Sequence, residues 1–349
     1  HRRGQLRLGP GARTDRPRNQ RAADQTLEEG EGWFQGAADA VRRNLHVLSE
    51  HHDHDVLVMA GDILVRQDLR KVINYHRSRA ADVTILVAPV SEDEAMRFGV
   101  VKVDHHTQVA EYIEKPVKSA LADMAVASEH LRRFSIDIDQ RPYLASMGIY
   151  VFRQSVLRAL LRDEKVLDFG HDLFPTAPKQ CRVYAYPFDG YWKDLGTIES
   201  FYKANIELTR MPPRFSFYDL EFPIYTRPRY LPPSKLLDCH VTESLISEGC
   251  LIRGASISQS IVGMRSIIHE GARIERSILM GADGYLSSQV HGYSVAEPAG
   301  EGPEFGVGRG AYINGAIIDK NVRIGAGCRI ANDAGVQNAD GDYYAIRDG

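Results

Sequence analysis

From Ile246 onward, apolar residues return every six positions: Ile246 and Ile252, then Val262, Ile268, Ile274 and Met280, then Tyr312, Ile318, Ile324, Ile330 and Val336. One short repeat cannot bury its apolar side alone, so such repeats stack into a solenoid. The spacing predicts a β-helix over 237–349 in which each of these residues points inward at a triangular coil. Small residues beside them, as in Ile324-Gly325-Ala326-Gly327, let the backbone turn. Residues 285–309, full of Gly, Pro and Glu, break the period and are expected as a loop inserted between coils.

The solenoid occupies only the last third of a 349-residue chain, so a second domain must precede it. Between the two, 211–236 carries prolines at 212, 213, 223, 228, 232 and 233, which favour extended backbone and predict a rigid linker. Residues 31–210 alternate apolar runs with helical stripes, the pattern of a mainly parallel α/β sheet covered by helices. Ala37–Leu48 reads as a helix with Ala40, Val41, Leu45 and Leu48 on one stripe, and Val56–Ala60 as a buried parallel strand. Strands are expected at 83–90, 98–103, 109–115, 146–152 and 182–187, and helices at 68–75, 155–162 and 198–208. On the last helix Ile198, Phe201, Tyr202 and Ile206 share a face. Residues 1–30, rich in Arg, Gly and Pro, are expected to be poorly ordered.

The formal net charge of -3 leaves no basic field for nucleic acid or an anionic membrane, and no apolar run approaches the roughly 20 residues that span a bilayer. Cys181, Cys239, Cys250 and Cys328 show no C-x-x-C spacing, which argues against a zinc knuckle or redox dithiol and for a reducing compartment.

Asp62 lies where the run 56–60 meets its loop, and open α/β sheets bind ligands at strand carboxyl ends. It suits a metal carboxylate or, equally, a turn cap. Asp194, in the block 191–197, is the second carboxylate or a surface turn residue; together the two could hold one Mg²⁺, an ion that takes few protein ligands and hard oxygens, and imply phosphoryl chemistry. Glu114-Lys115-Pro116 ends another strand and offers an ammonium beside a hydroxyl-binding carboxylate, the two features of a sugar phosphate, although such pairs are commonly solvated charge. The cluster His51-His52-Asp53-His54-Asp55 cannot converge on one ion, because consecutive residues at a helix end diverge. His105-His106 is expected in a hairpin turn.

Several segments in order, WFQGAADAVRRNL at 33–45, AGD at 60–62, RFGVVKVD at 97–104, YIEKP at 112–116, RPYLASMGIYVF at 141–152, FDGYWKDLGTIESFYKANIEL at 188–208, FPIYTRPRYLPPSK at 222–235 and AIIDKNVRIG at 316–325, resemble the ADP-glucose pyrophosphorylase (glucose-1-phosphate adenylyltransferase) family. The resemblance implies a Rossmann-like α/β nucleotidyltransferase domain followed by a left-handed parallel β-helix, in a homotetramer or heterotetramer. It implies conversion of ATP and glucose 1-phosphate to ADP-glucose and pyrophosphate for glycogen or starch, in the cytoplasm or, in a plant or alga, the plastid stroma. Carried over by motif, Asp62 and Asp194 hold Mg²⁺, Lys115 binds the sugar's phosphate, and Phe34, Gly99, Glu114 and Ser146 line the glucose 1-phosphate site. Gln35, Gly36 and Asp62 face the nucleotide, and Lys320 with Arg323 forms an anion site for phosphorylated effectors, against a reading of both as solvated charge.

Phe34 stands where the family often has Tyr, and Ala37 where it has Thr. The family's Gly-rich phosphate loop is expected well before Trp33, so the domain is expected to be incomplete and the chain weakly active or inactive. The rival readings are a non-catalytic regulatory subunit of the same enzyme, a transferase using UTP or GTP, and a solenoid acyltransferase with His269 as its coil histidine.

Overall fold

The computed structural model describes residues 34–48, 53–131, 134, 136, 138, 140–220, 223–285 and 305–347. The expectations for 1–30, for His51 and His52 and for most of the 285–309 loop lie outside these residues. The chain forms two compact units, one running to Gly61 and then from Asp68 to Asp189, the other comprising Asp62–Gln67 and the chain from Gly190 onward.

The first unit is built on β6 (Tyr143–Arg153), whose eleven residues are buried almost throughout. One edge of β6 pairs antiparallel with β3 (Val83–Val90). The other edge is shared: β4 (Gly99–Val103) takes Leu144 and Ala145, and β1 (Asp55–Met59) takes Ile149 to Arg153. Gly148, at φ 72°, sits at the break and accepts the Ala60 N–H at 2.8 Å, a left-handed conformation that favours glycine. β5 (Val109–Glu114) pairs antiparallel with β4, and β7 (Val183–Pro187) pairs parallel with β3.

The sheet is therefore mostly antiparallel, and β1 is not the parallel strand expected. Nor is it the buried strand expected, being half-buried with Met59 42% exposed: an apolar run gives neither the direction of its strand nor how far its neighbours cover it. The helix expected over 37–48 is α1 (Ala37–Arg43) followed, after Asn44, by a 3₁₀ turn at Leu45–Val47. Most of its stripe survives: Val41, Leu45 and Leu48 pack on the core of Ile85, Leu144, Phe152, Leu157 and Phe174, and Ala38 rather than Ala40 is the alanine buried there. α2 (Leu69–Ser78) starts at Asp68, whose carboxylate accepts the Arg70 N–H, and α3 (Gln154–Leu160) packs on β6.

The second unit holds a two-stranded ribbon, β2 (Ile63–Val65) antiparallel to β8 (Trp192–Asp194), then α4 (Ile198–Glu207) and the solenoid. Three parallel sheets form its faces, with partners 16 or 17 residues apart, as in Leu251 to Ile267 and Ile257 to Ile274, except across the inserted stretch, where Ile274 pairs with Ile313. Coils of that length have one face shortened by a residue or two relative to a strict spacing of six, and the register shifts accordingly. Leu279 and Ile313 point inward, rather than Met280, 36% exposed, and Tyr312. Ile257 joins the core, and Val336 lies outside it at 38% exposed. Coiling resumes at Gly306–Val307, inside the stretch expected as loop.

One corner is closed by a serine ladder. The Ser260 N–H donates to Ser244 Oγ, the Ser277 N–H to Ser260 Oγ and the Ala316 N–H to Ser277 Oγ, at 3.1, 3.0 and 3.2 Å. The residues just before the serines, Glu243, Gln259 and Arg276, have φ between 43° and 46°. α4 lies against the strand Ile278–Leu279, and the Tyr202 hydroxyl donates to the Arg276 carbonyl at 2.5 Å. Ile198, expected on the buried face of α4, is 54% exposed.

Candidate active site

Strand pairing sets the first cluster, which lies in the first unit. Gly99 on β4 is opposite Glu114 on β5. A Cβ at Gly99 would fall 1.8 Å from the Tyr112 hydroxyl and 2.7 Å from Glu114 Oε2, and one at Gly170 only 2.4 Å from the same oxygen. The Glu114 carboxylate thus occupies a slot that two missing side chains leave open, and it is oriented there by the Tyr112 hydroxyl, which donates to Oε2 at 2.8 Å. Burial, with Tyr150 and Glu114 nearby, pushes the Tyr112 hydroxyl well above its ordinary range, so it stays a donor. Burial also pushes Tyr150 up to about 12, and Ser146 Oγ donates to its oxygen at 3.4 Å.

Lys115 follows at φ 44° with its N–H on the Phe98 carbonyl at 3.1 Å, and its side chain is exposed. The left-handed backbone turns it out of the strand's alternation, so it need not alternate with Glu114 as the next strand residue would.

A π-helical turn, Phe169–Leu173, closes this cluster. Asp168 accepts the N–H groups of Gly170 and His171 at 2.8 and 3.0 Å. Asp172 accepts those of Leu167 and Asp168 and takes His171 Nδ1 at 2.7 Å, contacts that hold its carboxyl down at about 2. The Leu167 carbonyl in turn receives the N–H groups of Ala38 and Asp39, and a Cβ at Gly36 would meet it at 2.2 Å. Gln35 and Gly36 are thereby joined to the turn that carries Asp168. Gln35 donates its N–H to Asp39 at 3.0 Å, and Phe34, 38% exposed, lies under the Arg43 guanidinium. Reading the sequence for function passed over Asp168, Gly170, His171 and Asp172. The available signal was Asp168 two residues before a glycine and four before Asp172, a spacing suited to side chains capping a turn.

The second cluster lies in the other unit. The β2–β8 ribbon pairs Ile63 with Asp194, and the Leu195 N–H donates to the Asp62 carbonyl at 2.8 Å. Asp194 Oδ1 and Asp62 Oδ2 lie 2.9 and 3.4 Å from the point where a Cβ of Gly196 would stand. The two carboxylates thus face one small volume, and they are hard oxygen ligands of the kind Mg²⁺ takes while keeping several waters. Among the described residues no group of three or more His, Cys, Asp or Glu could hold a metal, so the remaining ligands would be waters or phosphate oxygens.

Three other predicted residues have local duties. Asp53 accepts the Ser155 N–H and hydroxyl at 2.8 and 2.9 Å, and Asp55 takes the Arg77 guanidinium at 2.6 Å. His106 sits in the β4–β5 turn, its N–H on Asp104 at 2.8 Å. Lys320 and Arg323 are exposed as expected, but Lys320 Nζ pairs with Asp283 at 3.1 Å, which reduces the positive patch expected there.

Residues 14–211 match the family described as Nucleotidyl transferase, and residues 229–349 that described as the GLGC left-handed parallel beta-helix domain. The chain is also similar to the glucose-1-phosphate adenylyltransferase small subunit, chloroplastic/amyloplastic, of Triticum aestivum. The two are 45% identical over 333 residues, which cover 94% of this chain and 70% of the wheat protein.

Proposed function

The chain belongs to the glucose-1-phosphate adenylyltransferase family of nucleotidyltransferases, and from that membership we propose that it transfers the adenylyl group of ATP to glucose 1-phosphate, for starch synthesis. A phosphate oxygen of the sugar phosphate forms a bond to the α-phosphorus of ATP, the bond from that phosphorus to the β-phosphate oxygen breaks, and pyrophosphate leaves with the electron pair. No protein nucleophile is needed, so the protein's work is to position two polyanions and offset their charge.

One observation carries this reading: Asp62 and Asp194, far apart in sequence, converge on Gly196. Mg²⁺ bound by them would neutralise phosphate charge in the transition state. Glu114, with Oε2 engaged by Tyr112, has Oε1 available to sugar hydroxyls, and Lys115 beside it suits the sugar's phosphate. Gln35 and Gly36 suit the nucleotide, and Ser146 and Phe34 the sugar side. Lys320 and Arg323 suit a phosphorylated effector, the enzyme is a tetramer, and the plastid stroma is its compartment. Among the described residues no helix is long and apolar enough to cross a membrane.

The test pairs turnover with binding. ATP, UTP and GTP are each supplied with glucose 1-phosphate and Mg²⁺ while sugar nucleotide is measured, and glucose 1-phosphate is titrated calorimetrically into the wild-type protein and Lys115→Ala. Preference for ATP and weaker binding in Lys115→Ala are expected. Preference for UTP or GTP would replace the nucleotide assignment, and unchanged binding in Lys115→Ala would remove the sugar-phosphate site.

A further inference from the structure

His171 stands on the π-turn directly after Gly170, the residue whose missing side chain makes room for Glu114. Its side chain is 81% exposed, yet its ring is not free to turn, because Nδ1 is held by Asp172 Oδ1 at 2.7 Å. Asp172 is itself fixed by the N–H groups of Leu167 and Asp168. With Nδ1 committed, Nε2 is the ring atom left to meet a ligand.

The groups that act on it are Asp172 and Asp168 on its own turn and Glu114 from β5, whose carboxylate, with the Tyr112 hydroxyl, lies against the adjacent Gly170. Three carboxylates, Glu114, Asp168 and Asp172, therefore stand beside a pocket suited to a sugar phosphate, which is itself anionic. A cation on this turn, in addition to Lys115 at the end of β5, answers that repulsion.

Resting on the sugar-phosphate reading of this pocket, we propose that His171, anchored through Nδ1 to Asp172, donates Nε2–H to a phosphate oxygen of glucose 1-phosphate and binds it more tightly when the imidazole is protonated. The hydrogen bond that His171 Nδ1–H donates to Asp172, joined by the charges of Asp172, Asp168 and Glu114, raises the imidazole above its ordinary value, which extends the protonated form toward neutral pH. The sign follows: the gain in affinity is present below the His171 pKa and is lost as pH rises through it.

Calorimetric Kd values for glucose 1-phosphate are measured on the wild-type protein and His171→Gln from about pH 5.5 to about pH 9, the range in which an imidazole titrates. The substrate's own phosphate ionisation is common to both proteins and cancels in the ratio of their Kd values. That ratio is expected to be about tenfold at the acid end, the weight of one charge-assisted hydrogen bond, and to fall toward one at the alkaline end. His171→Lys should keep the tighter binding throughout. In imidazole NMR, saturating glucose 1-phosphate should raise the His171 pKa, while glucose should not.

A ratio near one at every pH, or a His171 pKa unmoved by glucose 1-phosphate, overturns the proposal, and an equal response to glucose overturns the choice of phosphate as acceptor. Lys115→Ala separates the levels. If it weakens binding while His171→Gln does not, only the His171 assignment falls. If it leaves binding unchanged, the pocket reading falls and this inference with it.

Discussion

A methyl group on Gly99 would sit 1.8 Å from the Tyr112 hydroxyl, and the Tyr112 ring is buried in the core with no room to retreat. Gly99→Ala should therefore displace Tyr112 and Glu114 together, raising KM for glucose 1-phosphate tenfold or more while KM for ATP changes little; equal changes in both would contradict the pocket described. Asp62→Asn and Asp194→Asn keep size and remove a charge from an Mg²⁺ ligand. Each should lower turnover by about a hundredfold or more with the thermal midpoint unchanged, and wild-type turnover in either would take that residue out of the site. Acid sensitivity has a defined sign at Asp172. Its carboxyl titrates near 2 in the folded protein against 3.8 ordinarily, so its contribution is complete above about pH 4 and lost as pH falls toward 2. The Asp172→Asn variant should lose that part of the acid-unfolding curve.

α4 begins with a reciprocal cap: Thr197 Oγ1 accepts the Ser200 N–H at 3.1 Å, and Ser200 Oγ accepts the Thr197 N–H at 3.2 Å. The cap stands three residues after Asp194. Thr197→Ala should cost about 1 kcal/mol of stability. Because Gly196 ties the cap to Asp194, it should also weaken Mn²⁺ binding measured by electron paramagnetic resonance, whereas a purely local cap would leave metal affinity alone. In the solenoid, Ser260→Ala removes the acceptor for the fully buried Ser277 N–H and should cost about 1–3 kcal/mol by urea unfolding. The same serines, spaced 16 and 17 residues apart like the coils, were visible in the sequence, but their meaning is a hydrogen bond between coils, which the apolar spacing does not report. The solenoid's apolar spacing was legible for the opposite reason: a coil must bury one residue per face, whatever surrounds it. Its register was legible only in part, since coils of 16 or 17 residues shift the inward position from Met280 to Leu279.

Two separate cores stabilise the molecule, one around Phe152, Leu157 and Phe174, the other around Ile257, Ile274 and Ile313. Leu157→Ala and Ile257→Ala each empty a fully buried site and should cost about 2–5 kcal/mol. With no core residue in common, each should shift a different transition in a calorimetric melt, and a single transition moved equally by both would show one cooperative unit instead. Composition and periodicity by themselves determined a two-part chain, an α/β part ahead of a solenoid, and most of its strands and helices, because burial on a face leaves a period that needs no knowledge of partners. They also offered Asp62, Asp194, Glu114 and Lys115 as candidates, because open α/β sheets bind ligands at the carboxyl ends of their strands. Strand direction was beyond them, since an apolar run looks the same whichever way its strand runs. So was the gathering of Asp62 with Asp194 at Gly196, and of Glu114 with Gly99, Gly170 and His171. Those arrangements are set by pairings between segments distant along the chain, and a glycine that makes room for a carboxylate looks, in sequence, like any other glycine.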